Sequence, residues 1–338
     1  MRIGRARLHS FLLAPVLLSG AAFAAAAGEC SANPSALGTH RTVAVEPREH
    51  GRIGTMNYAE TLPLVDKEVV LTFDDGPRTP FTERVLDILA GECVRATYFI
   101  VGRMAKAKPE LVRRLHAQGH TIGTHSMNHP FPFRDQGPER AKAEVEEGIA
   151  AAVAALGDAG KVAPFFRFPG LGRTVSVERY LGQRGLMVWS ADFPADDWRR
   201  ISADEIVRRA LTRLEAKGKG ILLLHDTLPA TALALPTILR ELKARGYRIV
   251  HVVPASAAHP KTPTTAEAWH PRPRPTFVSF TLAEVLDAAA LRPLPASEEG
   301  PCLLQPASQP PTAFAARRRP KSAELALGSA PDVHALDR

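Results

Sequence analysis

The sequence contains little cysteine, with three residues in 338. Three thiols are too few for a zinc site built from cysteines, and too few for a disulfide scaffold. An odd number also leaves one cysteine unpaired. We expect Cys93, which precedes a strand-like run, to be a free and half-buried thiol. Cys30 and Cys302 flank the core and are the two that could pair.

The sequence also lacks any stretch in which aromatic and basic residues interleave, a pattern that would indicate nucleic-acid binding. The formal net charge is +8, and part of it lies in the run 317–321. Such a run is typical of a solvated basic tail, although adhesion to acidic envelope polymers would suit it too. We therefore expect no nucleic acid among the partners.

A long hydrophobic run is missing as well. The apolar stretch 11–23 follows three arginines and precedes four alanines, and it is too short to span a bilayer comfortably. Basic, apolar and small-residue regions in this order predict a secretory signal over residues 1–26, with a retained anchor as the alternative. Glu29 before Cys30 argues against a lipoprotein signal. We expect export to a bacterial periplasm or beyond, with no stable membrane span once the signal is removed.

From residue 67 to about 255, apolar runs alternate with amphipathic stretches. Strands are predicted at 69–74, 96–101, 120–124, 164–168, 186–192, 220–225 and 247–253. Helices are predicted near 80–91, 109–118, 138–156, 175–184, 203–217 and 233–245. This alternation predicts an α/β fold with a parallel sheet and right-handed crossovers, either a barrel or an open doubly wound sheet. In both, the chemistry belongs at the carboxyl ends of the strands.

The flanks differ in composition. Residues 27–66 are polar and mixed, and we interpret them as a lead-in with little periodicity. After residue 255 the chain becomes rich in proline and alanine. We predict that residues 256–338 form a largely disordered tail in which only 276–291 could be ordered.

The stretch 69–77 organises the chain, because a β-branched apolar run ends there in Asp74 and Asp75, followed by Gly76 and Pro77. The pattern predicts a buried strand that delivers its last residues to the rim of a sheet. Where the chain turns, both carboxylates can face one cavity, although a plain polar turn is the alternative. Two acids held so close need a neighbouring cation if both are to ionise freely.

His125 and His129 follow the third predicted strand. At i and i+4 they would lie on one face of a helical turn, so both rings could reach one metal ion. With Asp75 they complete a set of two imidazoles and one carboxylate that leaves positions open for water. Zinc suits this set, as do cobalt, nickel and iron.

Two further groups lie at predicted strand ends. Arg167 emerges from an apolar strand, and we expect its guanidinium to hold Asp74 by two parallel bonds, unless it is an ordinary surface arginine. His225 directly follows an all-apolar strand, where a proton donor or a satisfied core-edge histidine would fit. Three acids stand between two tryptophans: they are Asp192, Asp196 and Asp197.

Five stretches, in order, resemble the motifs of the polysaccharide deacetylases, the NodB-homology domain of carbohydrate esterase family four. These stretches are 72–76, 125–129, 167–170, 192–198 and 223–225, within a region of similarity that covers about residues 67–255. The resemblance implies a distorted (β/α) barrel of about seven parallel strands and one divalent metal ion. It also implies hydrolysis of N-acetyl groups on amino sugars.

The resemblance also implies roles for particular residues. Asp75, His125 and His129 would bind the metal, and Asp74 would be the general base. Arg167 would orient the base, and His225 would be the general acid. Asp197 would orient His225. Trp198 would line the sugar-binding site, and the Gly170 N–H would help bind the oxyanion.

The chain departs from the family pattern at two places. Asp192 and Asp197 are separated by four residues, where two are common, so the acid that steers His225 stays open between the three candidates; we prefer Asp197 because it adjoins Trp198. Gly170 stands where a tyrosine commonly follows the proline. The backbone N–H survives this change, but a ring that contacts the substrate is lost.

The predicted function is an exported, metal-dependent polysaccharide N-deacetylase whose partner is an acetylated amino-sugar polysaccharide. A hydrolase for O-acetyl or other amide and ester groups on the same scaffold is an alternative. A non-catalytic glycan-binding relative is another, although binding alone needs neither Asp74 nor His225.

Overall fold

A computed structural model describes residues 33–271 of the chain. Its strands are β1 (Thr39–Val45), β2 (Arg52–Ile53), β3 (Glu68–Asp74), β4 (Thr97–Ile100), β5 (Thr121–Thr124), β6 (Phe165–Phe166), β7 (Met187–Trp189), β8 (Phe193–Pro194), β9 (Gly220–His225) and β10 (Arg248–Pro254). Its α-helices are α1 (Phe81–Gly91), α2 (Gly102–Ala107), α3 (Pro109–Ala117), α4 (Pro138–Leu156), α5 (Val175–Gln183), α6 (Ala203–Lys217) and α7 (Pro229–Ala244).

Every strand pair of the described sheet is parallel, as the alternation of strands and helices predicts. Strand β3 is central and fully buried, pairing with β9 on one side and with β10 and then β4 on the other. From β4 the sheet continues through β5 and β6 to β7. Strand β8 follows β7 directly in the chain and pairs with β9, so the segment between them closes a distorted barrel. The barrel alternative is thereby confirmed over the open sheet.

All seven predicted strands and all six predicted helices are present. The sequence analysis missed β1, β2, β8 and the short helix α2. Strand β1 lies in the predicted lead-in and is held by its parallel pairing with β10, a contact between residues more than 200 positions apart. Because this pairing joins distant parts of the chain, no periodic pattern within residues 39–45 predicted the strand.

Alternation along β3 determines what faces the barrel interior. Val69, Leu71 and Phe73 belong to the core cluster that contains the packed faces of the helices. Val70 belongs to a second cluster, in the interior, with side chains of β6, β7 and β10. Because side chains two apart on a strand share a face, Asp74 lies on the interior row of Val70.

Part of the predicted tail packs on the barrel. Residues 256–271 are described, and Trp269 is buried in the interior cluster and stacks on the His50 ring at 3.5 Å between centroids. Thr61 N–H donates to the Trp269 carbonyl at 2.7 Å. The described part of the chain therefore continues 16 residues beyond the predicted boundary at 255. The proline- and alanine-rich composition of the tail gave no sign that one tryptophan buries its apolar surface against the barrel. Residues 272–338, which include the stretch 276–291 that could be ordered, lie outside the described residues.

Cys93 is disulfide-bonded, so the prediction of a free thiol is wrong. Cys30 and Cys302, like the predicted signal at 1–26, lie outside the described residues. Within residues 33–271, no helix combines the length and apolar character needed to cross a membrane.

Candidate active site

The chain reverses sharply just after β3, which brings both aspartates of the first motif to the barrel mouth. Asp74 ends the strand and is buried, whereas Asp75 has a φ of 77° and a partly exposed side chain. A left-handed φ is uncommon for a residue with a side chain, and here it turns the second carboxylate toward the same cavity as the first. Gly76 is required in this turn, because a Cβ atom there would lie 2.2 Å from Asp226 Oδ2.

His125 and His129 do not lie on a helical turn, and this part of the prediction is wrong. Residues 125–129 form an irregular loop in which Ser126 and His129 have positive φ values of 66° and 55°. The rings nevertheless approach to 5.0 Å between centroids. The two rings are therefore brought together by the sharp turns of the loop and not by the repeat of a helix.

The loop is held by its neighbours on two sides. At the start of α2, the backbone N–H groups of Gly102 and Arg103 donate to carbonyls within the loop. On the other side, buried Glu144 of α4 accepts from the backbone and side-chain N–H groups of Asn128 at 2.7 and 2.9 Å. Sequence reasoning missed Glu144, because a glutamate on an amphipathic helix gives no sign that its carboxylate is buried.

Asp75, His125 and His129 form a group suited to a divalent metal. Asp75 Oδ1 lies 3.5 Å from His125 Nε2 and 3.3 Å from His129 Nε2. Ligand atoms about 2.1 Å from a tetrahedral zinc ion would be separated by about 3.4 Å, in agreement with these distances. Asp75 Oδ1 is buried without a hydrogen-bond partner among the described residues, which is costly unless a cation is bound there.

The tautomer of His125 also fits metal binding. His125 Nδ1 lies 2.7 Å from the Arg167 carbonyl and donates its proton to it, so Nε2 is left as an acceptor facing Asp75. Burial lowers the pKa of His125, although the neighbouring aspartates oppose the shift, and this favours the neutral ring that a metal requires.

Arg167 is fully buried and binds Asp74, as predicted, but not by two parallel bonds. Its Nη1 atom donates to Asp74 Oδ1 at 2.7 Å and to Thr72 Oγ1 at 2.8 Å. The Nη2 atom donates instead to the Ser190 carbonyl at 2.9 Å, and the guanidinium lies 4.2 Å from the centre of the Phe99 ring. Burial lowers the pKa of Arg167, but the charge of Asp74 opposes that shift. The guanidinium therefore ties β3 to β7 across the barrel while fixing one oxygen of Asp74.

His225 is held by Asp197, the preferred acid of the fourth motif. His225 Nδ1 lies 2.8 Å from Asp197 Oδ1, and Asp197 Oδ2 accepts from the His225 backbone N–H and from Thr231 Oγ1, each at 2.7 Å. Burial disfavours a charge on His225, but the Asp197 carboxylate outweighs burial and raises the pKa of His225 to about 9. The raised pKa favours the protonated form of the ring at neutral pH.

The other two acids have different partners. Asp192 accepts from Thr55 N–H, Thr61 Oγ1 and Ile221 N–H, and so joins the chain after β7 to β9 and to the N-terminal loop. Asp196 accepts from two arginines of α6. Neither contacts His225 through a hydrogen bond, so the structure singles out Asp197.

Aromatic side chains border the site on two sides. Trp198 is half-exposed, and its ring lies edge-on to His225 at 5.6 Å between centroids. Gly170 follows β6 with a φ of 57°, and the exposed Phe131 ring lies against it. Sequence reasoning missed Phe131, for which an apolar residue two positions after His129 in a polar loop was the available signal.

Asp226 is a second titratable residue that the sequence analysis missed. It follows His225, is fully buried and accepts a hydrogen bond from Thr82 Oγ1. Burial raises the pKa of Asp226 to about 7. Its place beneath Gly76 supports the turn that carries Asp75.

A cavity of about 160 Å³ opens beside Asp75 and His129. This is several times the roughly 30 Å³ that one water molecule occupies in the liquid, so a small acyl group fits. The remaining lining residues are Arg78, Val101, Arg103, Met104 and Thr227.

Fold and site together define a class: a distorted parallel barrel whose mouth carries a candidate metal group beside two candidate proton-transfer groups. The family model of polysaccharide deacetylases matches residues 62–189. A peptidoglycan-N-acetylglucosamine deacetylase of Bacillus cereus is 30% identical over 213 residues, 60% of this chain and 74% of that protein. A chitooligosaccharide deacetylase of Sinorhizobium fredii is 35% identical over 184 residues, 53% of this chain and 82% of that protein.

The solved structure of a peptidoglycan deacetylase from Bdellovibrio bacteriovorus superposes with a TM-score of 0.58 at 31% identity. The superposition covers 64% of this chain and 60% of that one. The chain belongs to the polysaccharide deacetylase family.

Proposed function

We propose that the protein is an exported, metal-dependent deacetylase that removes N-acetyl groups from N-acetylglucosamine-type glycans, releasing acetate and a free amine. One observation carries this proposal: a buried carboxylate and a histidine of raised pKa lie at the barrel mouth beside the candidate metal group. Asp74 is aimed by Arg167, and His225 is held protonated by Asp197. The names of the two curated relatives support the substrate class, and the predicted signal supports export.

Asp75, His125 and His129 would hold the divalent ion, with zinc, cobalt and nickel as candidates. When bound, the ion would polarise the amide carbonyl and favour ionisation of a water molecule. Asp74 would accept the proton of the attacking water, since Arg167 occupies its Oδ1 atom and leaves Oδ2 available. The Gly170 N–H would donate to the oxyanion as the carbonyl carbon becomes tetrahedral.

His225 would then donate its proton to the departing nitrogen. An amine is a poor leaving group unless it is protonated, so the acid must be charged when the C–N bond breaks. A pKa of about 9 meets this requirement at neutral pH. An ester alcohol needs such an acid less, and for this reason the N-acetyl reaction is favoured over O-acetyl hydrolysis.

Acetate release from a panel of substrates tests the proposal. The panel contains N-acetylglucosamine oligomers, peptidoglycan glycan strands, an N-acetylated exopolysaccharide and an O-acetylated glycan, each with defined metals. Acetate from one of the first three, with an equal amount of new free amine, is the expected result. Acetate from the O-acetylated glycan alone would favour the esterase, and binding without acetate from any of them would favour a non-catalytic protein.

A further inference from the structure

Phe131 is the most exposed large apolar side chain of residues 33–271, with 74% of its surface accessible. The other exposed large apolar side chains of this region are Met56, Val65, Val175, Trp198 and Leu233. Only Phe131 and Trp198 among them are aromatic. Trp198 lies beside His225, and Phe131 lies against Gly170, to which we assign a role at the site. Exposed aromatic rings at a site mouth are typical of binding surfaces.

The Phe131 backbone is held in place by residues on both sides of it in the chain. Two residues before it lies the candidate metal ligand His129. Two residues after it lies Phe133, which is fully buried and packs against Phe166 and Phe168 with ring centroids 6.4 and 5.4 Å away. Phe131 is thus held between the candidate metal group and an apolar cluster, although its own ring stays outside the core.

The ring of Phe131 lies directly on Gly170. A Cβ atom on Gly170 would be 2.5 Å from Phe131 Cε2, closer than real Cβ contacts, so any side chain at 170 would displace the ring. Gly170 also has a φ of 57°, a conformation that glycine adopts at low cost. The pair therefore puts the Cδ2–Cε2 edge of an aromatic ring against Gly170, the residue whose N–H we assign to the oxyanion, and leaves most of the ring accessible.

We infer that Phe131 is a glycan-binding residue whose exposed ring stacks on the apolar C–H face of a pyranose next to the acetamido group. The inference rests on the proposed function and adds to it the residue that holds the sugar. Trp198 borders the site beside His225, so each aromatic ring adjoins a different part of the reacting apparatus. Ring stacking would orient the sugar, because its C–H face is apolar while its edges carry hydroxyl groups.

Calorimetric titration of the full-length protein tests this inference, since binding can be measured without turnover. The probes are the N-acetylglucosamine tetramer and soluble peptidoglycan glycan strands. Phe131→Ala should raise the Kd of whichever probe binds by about 2- to 12-fold, the range that corresponds to the energy of an aromatic stacking contact. Phe131→Tyr should restore most of the affinity. Val65→Ala removes another exposed apolar side chain, from the loop before β3 at the opposite end of the barrel, and should leave Kd unchanged.

Gly170→Ala provides a second, independent variant. It should weaken binding by itself because the new methyl group pushes the ring away, but it should add little in a Phe131→Ala background. Thermal melts check that each variant is folded. An unchanged Kd in Phe131→Ala, additive losses in the double variant, or no binding of either probe by the unaltered protein would overturn the inference. Binding without acetate release would instead overturn the proposed function and leave the inference standing.

Discussion

Asp74 and His225 lie directly opposite each other on the neighbouring parallel strands β3 and β9. Paired residues of adjacent parallel strands point to the same face of the sheet, at a strand spacing of about 4.8 Å. The candidate base and the candidate acid are therefore placed at one level of the barrel by backbone register. Each is then aimed by a separate partner, Arg167 for Asp74 and Asp197 for His225.

The metal group predicts the behaviour of a His125→Ala variant. The unaltered protein should bind about one divalent ion per chain, as a single catalytic site does. His125→Ala should lose the ion and the acetate-releasing activity together, because two of three ligands seldom retain a metal. Elemental analysis after gel filtration measures the ion. His259→Ala, at an exposed histidine outside the group, is the control, and a full metal content in His125→Ala would refute the assignment.

The base should be separable from metal binding. Asp74→Asn keeps the size of the side chain but removes its basicity, so the turnover number should fall on the order of 10²-fold or more while metal content stays constant. Steady-state acetate release with parallel metal analysis provides the measurement. Asp87→Asn, on the exposed face of α1, serves as the matched control. Near-normal turnover in Asp74→Asn would show that another group accepts the proton.

Arg167→Lys tests the three-way contact of the guanidinium. Lysine keeps the charge but cannot reach Thr72, Asp74 and the Ser190 carbonyl with the same fixed geometry. We expect metal retention, lower turnover and a free energy of unfolding reduced by about 1–3 kcal/mol, the cost of an unsatisfied buried polar group. Denaturant melts monitored by fluorescence give the stability. Unchanged stability together with unchanged turnover would mean that these contacts do not matter.

The Asp197 carboxylate predicts a shift in the pH dependence. His225 must be protonated to act as an acid, so activity should fall as the pH rises through its pKa of about 9. Asp197→Asn removes the negative charge that raises this pKa, so the imidazolium loses its proton more easily. The alkaline limb of the kcat/KM profile should therefore move from about pH 9 to lower pH, toward the ordinary imidazole value of 6.5. A limb that stays near pH 9 in the variant would exclude His225 as the group that titrates.

Residues 256–271 pack on the barrel, so a substitution in this segment should lower the stability of the protein without a direct effect on catalysis. Trp269→Ala should lower the free energy of unfolding by about 3–5 kcal/mol, because it empties a large buried site in the interior cluster. Metal content per folded molecule should be retained. Urea unfolding curves compare this variant with Trp198→Ala, whose side chain is half-exposed and should cost much less stability. Equal midpoints would show that the segment is dispensable for folding.

The sequence by itself determined the alternation of the seven predicted strands with the six predicted helices, and it placed three polar residues of the site at strand ends. Apolar runs such as 220–225 are long and periodic, and residues that directly follow them, or end them, must lie at the carboxyl edge of a parallel sheet. Asp74, Asp75 and His225 could be placed in this way because their position depends only on where a strand ends.

Tertiary structure decided the contacts that no local pattern encodes. The loop that brings His125 to His129 depends on positive φ values and on buried Glu144, not on a helical repeat. Asp197 rather than Asp192 meets His225 because the segment after β7 first bonds Ile221 of β9 through Asp192 and then runs parallel to β9, as β8, toward the mouth. The place of the Phe131 ring on Gly170, like the burial of Trp269, arises from segments distant in the chain that share one volume. Packing of this kind depends on contacts between distant segments of the barrel, and periodicity within a single segment does not predict such contacts.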